Sequence, residues 1–315
     1  MLKNLNRLGL VLTLLMVCAP VNGAGTDAAP TDGTSKLAAP QMNFMRIATE
    51  GGRRHLQMSV TEYEIHEYKA RITFYAAVHI ADPEFYSFLQ KSFEKYDAVL
   101  MEGIGAGDKY GTRSLRTPPF PANLLAQQES KRASVEEVHD LYDALATGLG
   151  LKGQMDEIDF RKRNFVYPDM SYQELEKHLD TAGVDYLLPE EQFIRPVIPM
   201  LQGFVRGVKS GKEESSVTRN IIKNLMAEMI IRMDLDAALA GEDDVAKKRR
   251  EYFRIILEER NQKVVEAIET ALKSGKKNIA VFYGAMHLPG IQESLIKDFK
   301  AKETGKVWVN AWKLN

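Results

Sequence analysis

Two stretches that lie far apart in the sequence resemble each other: residues 74–80 read FYAAVHI and residues 282–288 read FYGAMHL. The aromatic pair and the histidine occupy matching places, so His79 corresponds to His287. The register continues without a gap, because Val99 and Val307 each follow their histidine by 20 residues. Internal similarity of this kind predicts two structural half-sites.

Each stretch lies within a predicted unit that consists of a strand, a helix and a second strand. In the first unit these elements are predicted at residues 71–77, from Asp82-Pro83 onward, and at 97–101; in the second unit they are predicted at 278–283, 289–299 and 307–312. Strands that are joined through a helix run parallel in one sheet. The sequence therefore predicts an α/β fold, with a mixed sheet built from two repeated strand-helix-strand units.

Two further segments complete the predicted domain, which spans residues 42–315. Residues 44–65 alternate between apolar and polar around Gly51-Gly52, which predicts two antiparallel strands joined by a turn. Residues from about 121 to 275 are mostly helical in pattern and predict a helical insertion. It contains a capping-box spacing at residues 171–174 and a long amphipathic helix from Glu242 to Lys273.

Polar residues follow the predicted strands at the points where these strands end. His79 lies just past the end of the first strand, and Glu102 lies at the end of the next. Parallel strands present their carboxyl ends at one edge of a sheet, which is where open α/β sheets bind ligands. If the second unit joins the same sheet, His287 and Asn310 are expected at this edge too.

Two imidazoles and a carboxylate suit two kinds of chemistry. His79, Glu102 and His287 could ligate a divalent metal ion with one coordination position left open, at which bound water becomes a nucleophile near neutral pH. Alternatively, one histidine oriented by Glu102 could act as a general base on water without a metal. A third reading is structural, in which the histidines only hydrogen-bond the loop backbone.

The amino terminus has the pattern of an exported protein. Residues 1–23 combine Lys3 and Arg7 with an apolar run and small residues, which predicts a cleaved signal peptide. Residues 24–41 are small, polar and proline-containing, which predicts a flexible linker. The only cysteine, Cys18, lies within the signal peptide, where lipidation is a less favoured alternative. We therefore expect a periplasmic or secreted protein without thiol chemistry.

Composition excludes two classes of partner. The net charge of −1 gives no electrostatic case for nucleic acid. No stretch after the signal peptide approaches the roughly 20 apolar residues of a membrane helix. A peptide or small-molecule substrate is the expected partner, and the sequence does not indicate an oligomeric state.

The chain resembles the TraB/GumN/PrgY superfamily, which includes the Tiki metalloproteases and has distant relatives among erythromycin esterases and ChaN-type haem-binding lipoproteins. Four stretches carry the resemblance: YAAVHIADPEFY at 75–86, YDAVLMEG at 96–103, EERNQ at 258–262 and FYGAMHLPGI at 282–291. The family pattern has two glycine-x-x-histidine motifs and a glutamate after the second strand. The second motif matches in full, whereas Ala76 occupies the glycine place of the first.

The resemblance implies which residues build the site. It makes His79, Glu102 and His287 the catalytic and metal-binding residues, with an ion of the Mn, Co or Zn class. It also points to Arg260, whose cation could hold an anionic intermediate or a substrate carboxylate. Asp156, Asp159 and Asp169 lie in a segment that related bacterial proteins also carry, and we assign them only to helix caps and turns.

The sequence thus predicts an exported metal-dependent hydrolase of the TraB/Tiki type, acting on a peptide or an ester. The alternative from a different class is a non-enzymatic envelope protein that uses the same histidines to bind haem or a metal ion.

Overall fold

A computed structural model describes residues 43–105, 143–184, 198–211, 215–232 and 239–314. The predicted signal peptide and linker, and part of the predicted insertion, lie outside these residues. The strands are β1 (Met45–Glu50), β2 (Arg53–Ile65), β3 (Ala70–Ala77), β4 (Ile80–Ala81), β5 (Ala98–Met101), β6 (Lys152–Gly153), β7 (Phe165–Val166), β8 (Asn278–Gly284) and β9 (Lys302–Lys313).

β4 and β6 form a separate two-stranded sheet, and helices make up most of the remaining described elements. The helices are α1 (Pro83–Ser92), α2 (Gln154–Glu157), α3 (Tyr172–Ala182), α4 (Ile198–Lys209), α5 (Ser216–Ile231), α6 (Asp244–Phe253), a π-helix (Arg254–Glu259), α7 (Arg260–Lys273) and α8 (Leu288–Phe299). Among the described helices, none has the length and apolar character that a membrane crossing requires.

The fold is α/β with a mixed seven-stranded sheet, as predicted. The strand order is β1-β2-β3-β8-β5-β7, and β9 pairs with β2 outside this path. β8 lies between β3 and β5 and runs parallel to both. The strands that precede His79, Glu102 and His287 are therefore neighbours, with their carboxyl ends at one edge.

The predicted hairpin extends beyond that edge. β1 and β2 are joined at Gly51 and Gly52, whose φ angles of 57° and 78° lie in the left-handed region that favours glycine. The β3 partner of Val60 is Tyr75, near the end of β3, whereas the preceding half of β2 pairs with β1. The hairpin thus forms a wall at the carboxyl edge of the sheet.

The segment that was predicted as a mostly helical insertion contains two features that the sequence did not indicate. Its short strand β7 joins the main sheet parallel to β5. The long helix predicted from Glu242 to Lys273 begins as α6 and ends as α7, with the π-helix between them. A small apolar cluster packs α3 against α6 and the π-helix, separately from the core around the main sheet.

Candidate functional site

The three central strands deliver the candidate residues to one cleft. Glu102 directly follows β5, His79 lies two residues after β3, and His287 lies three residues after β8. All three side chains line the same cleft, and Arg260 at the start of α7 lines it as well. The four candidate site residues are therefore brought together, although each of them lies more than 150 positions from at least one other.

Asn310, which corresponds to Glu102 in the repeat, has a different environment. Its side-chain oxygen accepts a hydrogen bond from Gln57 Nε2 at 2.8 Å, and its amide donates to Glu50. Asn310 lies on β9, which pairs with β2 rather than with the central parallel strands. Glu102 and Asn310, which correspond in the repeat, therefore lie in different environments.

Glu102 explains why glycine is needed in only one of the two motifs. Its Oε2 accepts a hydrogen bond from the backbone N–H of Gly284 at 2.7 Å. A Cβ atom at Gly284 would lie 3.3 Å from the same oxygen, a contact that requires the carboxylate to shift. Ala76, at the glycine place of the first motif, is buried in β3 beside Tyr283 and accommodates a methyl group.

Arg260 is the centre of a buried ionic cluster. Its Nε and Nη2 donate to the two carboxylate oxygens of Asp169 at 2.9 and 2.7 Å. Nη2 also donates to Glu102 Oε1 at 2.9 Å, and Nη1 contacts His287 Nε2 at 3.1 Å and Ile256 O at 3.3 Å. A guanidinium has five N–H groups, so these contacts account for all of them.

Asn261 fixes the orientation of the His287 ring. The amide nitrogen of Asn261 donates to the carbonyl oxygen of His287 at 3.1 Å. This bond sets the Asn261 side-chain oxygen against His287 Nδ1, at 2.7 Å. Since an amide oxygen only accepts, Nδ1 carries the proton, and Nε2 accepts from Arg260. His287 Nε2 also lies 3.4 Å from Glu102 Oε1.

The π-helix presents Arg260 and Asn261 to the site. It ends at Glu259, immediately before both residues. Single-turn π-helical segments change the register of a helix and often occur at functional sites. Gly290 allows the close approach of α8, because a Cβ there would lie 2.6 Å from Asn261 Nδ2.

Burial and charge set the protonation states in the cleft. Burial lowers the pKa of His79, and the carboxylate of Glu102 opposes this effect only in part. Burial alone would raise the pKa of Glu102, but contact with His287 and the charge of Arg260 hold it well below its usual value. Near neutral pH, His79 is therefore neutral and Glu102 is ionised. The carboxylates of Glu102 and Asp169 both contact the one guanidinium of Arg260.

The contacts of Arg260 bear on the prediction that His79, Glu102 and His287 jointly hold a divalent ion. Within the described parts of the chain, no three His, Cys, Asp or Glu side chains form a group that could hold a metal ion. The guanidinium of Arg260 already contacts Glu102 Oε1 and His287 Nε2, the atoms that a shared ion would need. The metal stays a prediction from the resemblance, and its binding would require Arg260 to move.

Three residues of the cluster were missed by sequence reasoning. Asp169 was assigned to a cap or turn; it does accept from the backbone of Met170 and of Gly103, but it also pairs with Arg260. Asn261 lay in the EERNQ stretch and received no role of its own. Tyr283 is fully buried, and no described residue hydrogen-bonds its hydroxyl group. Burial and the nearby carboxylate of Asp169 raise its pKa well above the usual value.

Asp159 behaves as predicted. It accepts from the backbone N–H of Arg161 at 3.2 Å in an exposed turn. It also pairs with the Arg161 side chain. Its role is local, in contrast to that of Asp169.

Fold and site together define a class: an α/β protein with a buried histidine, carboxylate and arginine cluster at the carboxyl edge of its sheet. The model of the TraB/PrgY/gumN family matches residues 199–304, and this match supports the assignment of the chain to that superfamily. The matched range contains Arg260, Asn261 and His287, whereas His79 and Glu102 precede it. The comparisons with curated proteins and with solved structures gave no match.

Proposed function

We propose that the protein is an exported hydrolase that cleaves a peptide or an ester in the cleft at the carboxyl edge of the sheet. The convergence of His79, Glu102, Arg260 and His287 in that one cleft carries the proposal. Titratable groups whose pKa values are shifted and that lie together in a cleft are candidates for a functional site. The resemblance to a superfamily that includes hydrolases points the same way, as an analogy.

His79 is the proposed general base. His79 is half-buried, lines the cleft and is neutral near pH 7, which is the form that accepts a proton. It takes a proton from water while the hydroxide adds to the carbonyl carbon. The bond to the leaving amine or alcohol then breaks, and the leaving group takes the proton from His79.

Arg260, Glu102 and His287 form the supporting cluster in this proposal. The guanidinium holds the Glu102 carboxylate and the His287 ring in fixed positions, and fixed dipoles and charges cost no reorganisation during a reaction. Glu102 favours the protonated form of His79 by its charge. The predicted role of Arg260 in holding an anionic intermediate requires exchange of one of its present contacts, of which the bond to Ile256 O is the longest at 3.3 Å.

The size of the cleft favours the hydrolase over the alternative of a binding protein. The volume of the cleft is about 100 Å³, whereas sites for drug-sized ligands occupy about 300–1,000 Å³. A haem group would need a larger space than the described residues enclose. A strong Soret band after reconstitution of the purified protein with haem would favour this alternative over the hydrolase.

The export proposal has its own test. The basic, apolar and small-residue order of residues 1–23 supports cleavage near Gly23. Protein recovered from the native cell envelope is expected to begin near Ala24, as measured by amino-terminal sequencing. A soluble species that retains Met1 would contradict export by signal cleavage.

Hydrolysis is tested with a panel of peptides and esters on the purified mature protein. His79→Ala is expected to lower kcat/KM by about 10²–10⁴, the usual contribution of a general base. His66→Ala, at an exposed histidine of the β2–β3 turn, serves as the matched control and should leave turnover unchanged. Equal turnover in His79→Ala and the parent would refute the assignment.

The same panel separates the two mechanisms. Turnover is measured with and without a chelator, and the purified protein is subjected to elemental analysis. Turnover that survives chelation supports His79 as a base acting on free water. Loss of turnover on chelation, with bound metal in the parent, would support the metal-dependent prediction and refute the metal-free route.

A further inference from the structure

The cleft above the ionic cluster has apolar walls. The β1–β2 hairpin contributes Met45, Leu56 and Met58, which alternate with residues on the opposite face of the sheet. Helix α5 contributes Ile230, and the π-helix contributes Ile256. A ligand whose reacting group contacts His79 therefore places its adjacent group against apolar side chains.

The size of the cleft limits how large the group next to the reacting group of the ligand can be. The volume of the cleft is about 100 Å³, and an engineered apolar cavity of about 150 Å³ binds one benzene molecule. One short acyl chain or one medium-sized apolar side chain fills a space of this order. A long acyl chain would extend beyond the space that the described residues line.

The charged side chains of the cluster further limit which group of a ligand can bind next to the reacting group. Asp169 and Glu102 outnumber the single guanidinium of Arg260, and these side chains are almost completely buried. Like charges interact strongly where water is excluded. A carboxylate on the acyl group would lie near these two carboxylates and be repelled by them, so an anionic substrate is disfavoured.

We propose that the cleft selects an uncharged, apolar acyl group of about four to six carbon atoms, on the acyl side of the bond that the enzyme hydrolyses. This inference rests on the proposed hydrolase function and names its substrate class. Methionine at two of the hairpin positions suits a wall that adapts to several apolar shapes, since its side chain is unbranched and flexible.

The test is a chain-length series of nitrophenyl esters, from acetyl to decanoyl, with succinyl as an anionic member. We expect kcat/KM to rise roughly fourfold for each added methylene group up to butyryl or hexanoyl. It should then fall toward decanoyl, and the succinyl ester should react at least tenfold more slowly than the butyryl ester. Equal kcat/KM across the series, or a maximum at decanoyl or succinyl, would overturn the inference while leaving hydrolysis established.

Variants link the selectivity to the hairpin wall. Met58→Ala enlarges the cleft and should move the optimum to a longer acyl chain, with Met58→Val as the milder change that better preserves the fold. Ile296→Ala, which shortens an exposed side chain on α8, is the control and should keep the parental optimum. An unchanged optimum in both Met58 variants would contradict the proposed position of the acyl group.

A binding measurement separates this inference from the proposed function. Alkyl methyl ketones of the same chain lengths cannot be hydrolysed, and their affinity is measured by ligand-observed NMR. If no ester or peptide is turned over, the hydrolase proposal fails, but an affinity maximum at the same short chains would still support the apolar cleft. Affinity that does not depend on chain length would refute it.

Discussion

At the scale of single residues, the two motifs of the repeat have unequal tasks. A Cβ atom at Gly284 would lie 3.3 Å from Glu102 Oε2, so the carboxylate would have to shift, whereas the methyl group of Ala76 is accommodated in buried β3. The apparent departure of the first motif from the family pattern therefore has a physical explanation. Glycine is required where the Glu102 side chain approaches the backbone, and that happens once.

Reciprocal substitutions test this difference. Gly284→Ala should displace Glu102, lower kcat by more than tenfold and cost about 1–3 kcal/mol of stability, as overpacking usually does. Ala76→Gly should cost about 1 kcal/mol through added chain flexibility and leave kcat within about twofold. Thermal unfolding and ester turnover of both variants are compared with the parent. Full activity in Gly284→Ala would show that the carboxylate position is not critical.

At the scale of secondary-structure elements, the sequence predicted the elements that carry strong local signals. The compact apolar runs of β3, β5 and β8 and the glycine pair of the hairpin lie where expected. β7 has only two residues, which is too short for a periodic pattern. The π-helix was also missed, because its residues read as ordinary amphipathic helix and the change of register depends on tertiary packing.

The candidate site was predictable to a similar extent. The residues after β3, β5 and β8 were predicted at one edge, since the rule for parallel strands needs only local information, whereas Asn310 lies on β9, beside β2. Asp169 pairs with a residue 91 positions away, and nothing in its neighbourhood distinguishes this role from capping. The engagement of Arg260 by two carboxylates and a histidine was likewise invisible, because it depends on how α7 packs against the sheet.

Helix α3 links this cluster to the helical layer. Asp169 precedes it, and its capping box at Ser171 and Glu174 was predicted and is present. Glu174 also pairs with Lys263 of α7 at 2.9 Å. The start of α3 is therefore held against α7 close to Arg260.

At the scale of the whole molecule, buried and capping carboxylates couple stability to pH, with opposite signs. Backbone and side-chain hydrogen bonds from Ser171 and Lys263 lower the pKa of Glu174 to about 2. When the pKa of a carboxyl group is lower in the folded than in the unfolded state, the group stabilises the fold at pH values above its unfolded-state pKa. This stability is lost as pH falls through the folded-state pKa. Burial raises the pKa of Asp82, which is paired with Lys223, so this group acts in the opposite direction.

The Glu174 contribution defines the last prediction. The stability it provides should be complete above pH 4.5, its reference pKa, and should be lost progressively as pH falls through about 2. Glu174→Gln keeps the capping-box geometry, because glutamine also occurs at this position, but it removes the charge. At pH 7 it should cost about 1 kcal/mol or less, since the pair with Lys263 is partly exposed and screened by solvent. Near pH 2 the cost should be clearly smaller, because about half of the folded molecules then carry a protonated Glu174. Urea unfolding at several pH values measures this dependence, with Glu293→Gln on the exposed face of α8 as the control. A Glu174→Gln penalty that is the same at pH 7 and pH 2 would assign the effect to packing rather than to the ionised carboxylate.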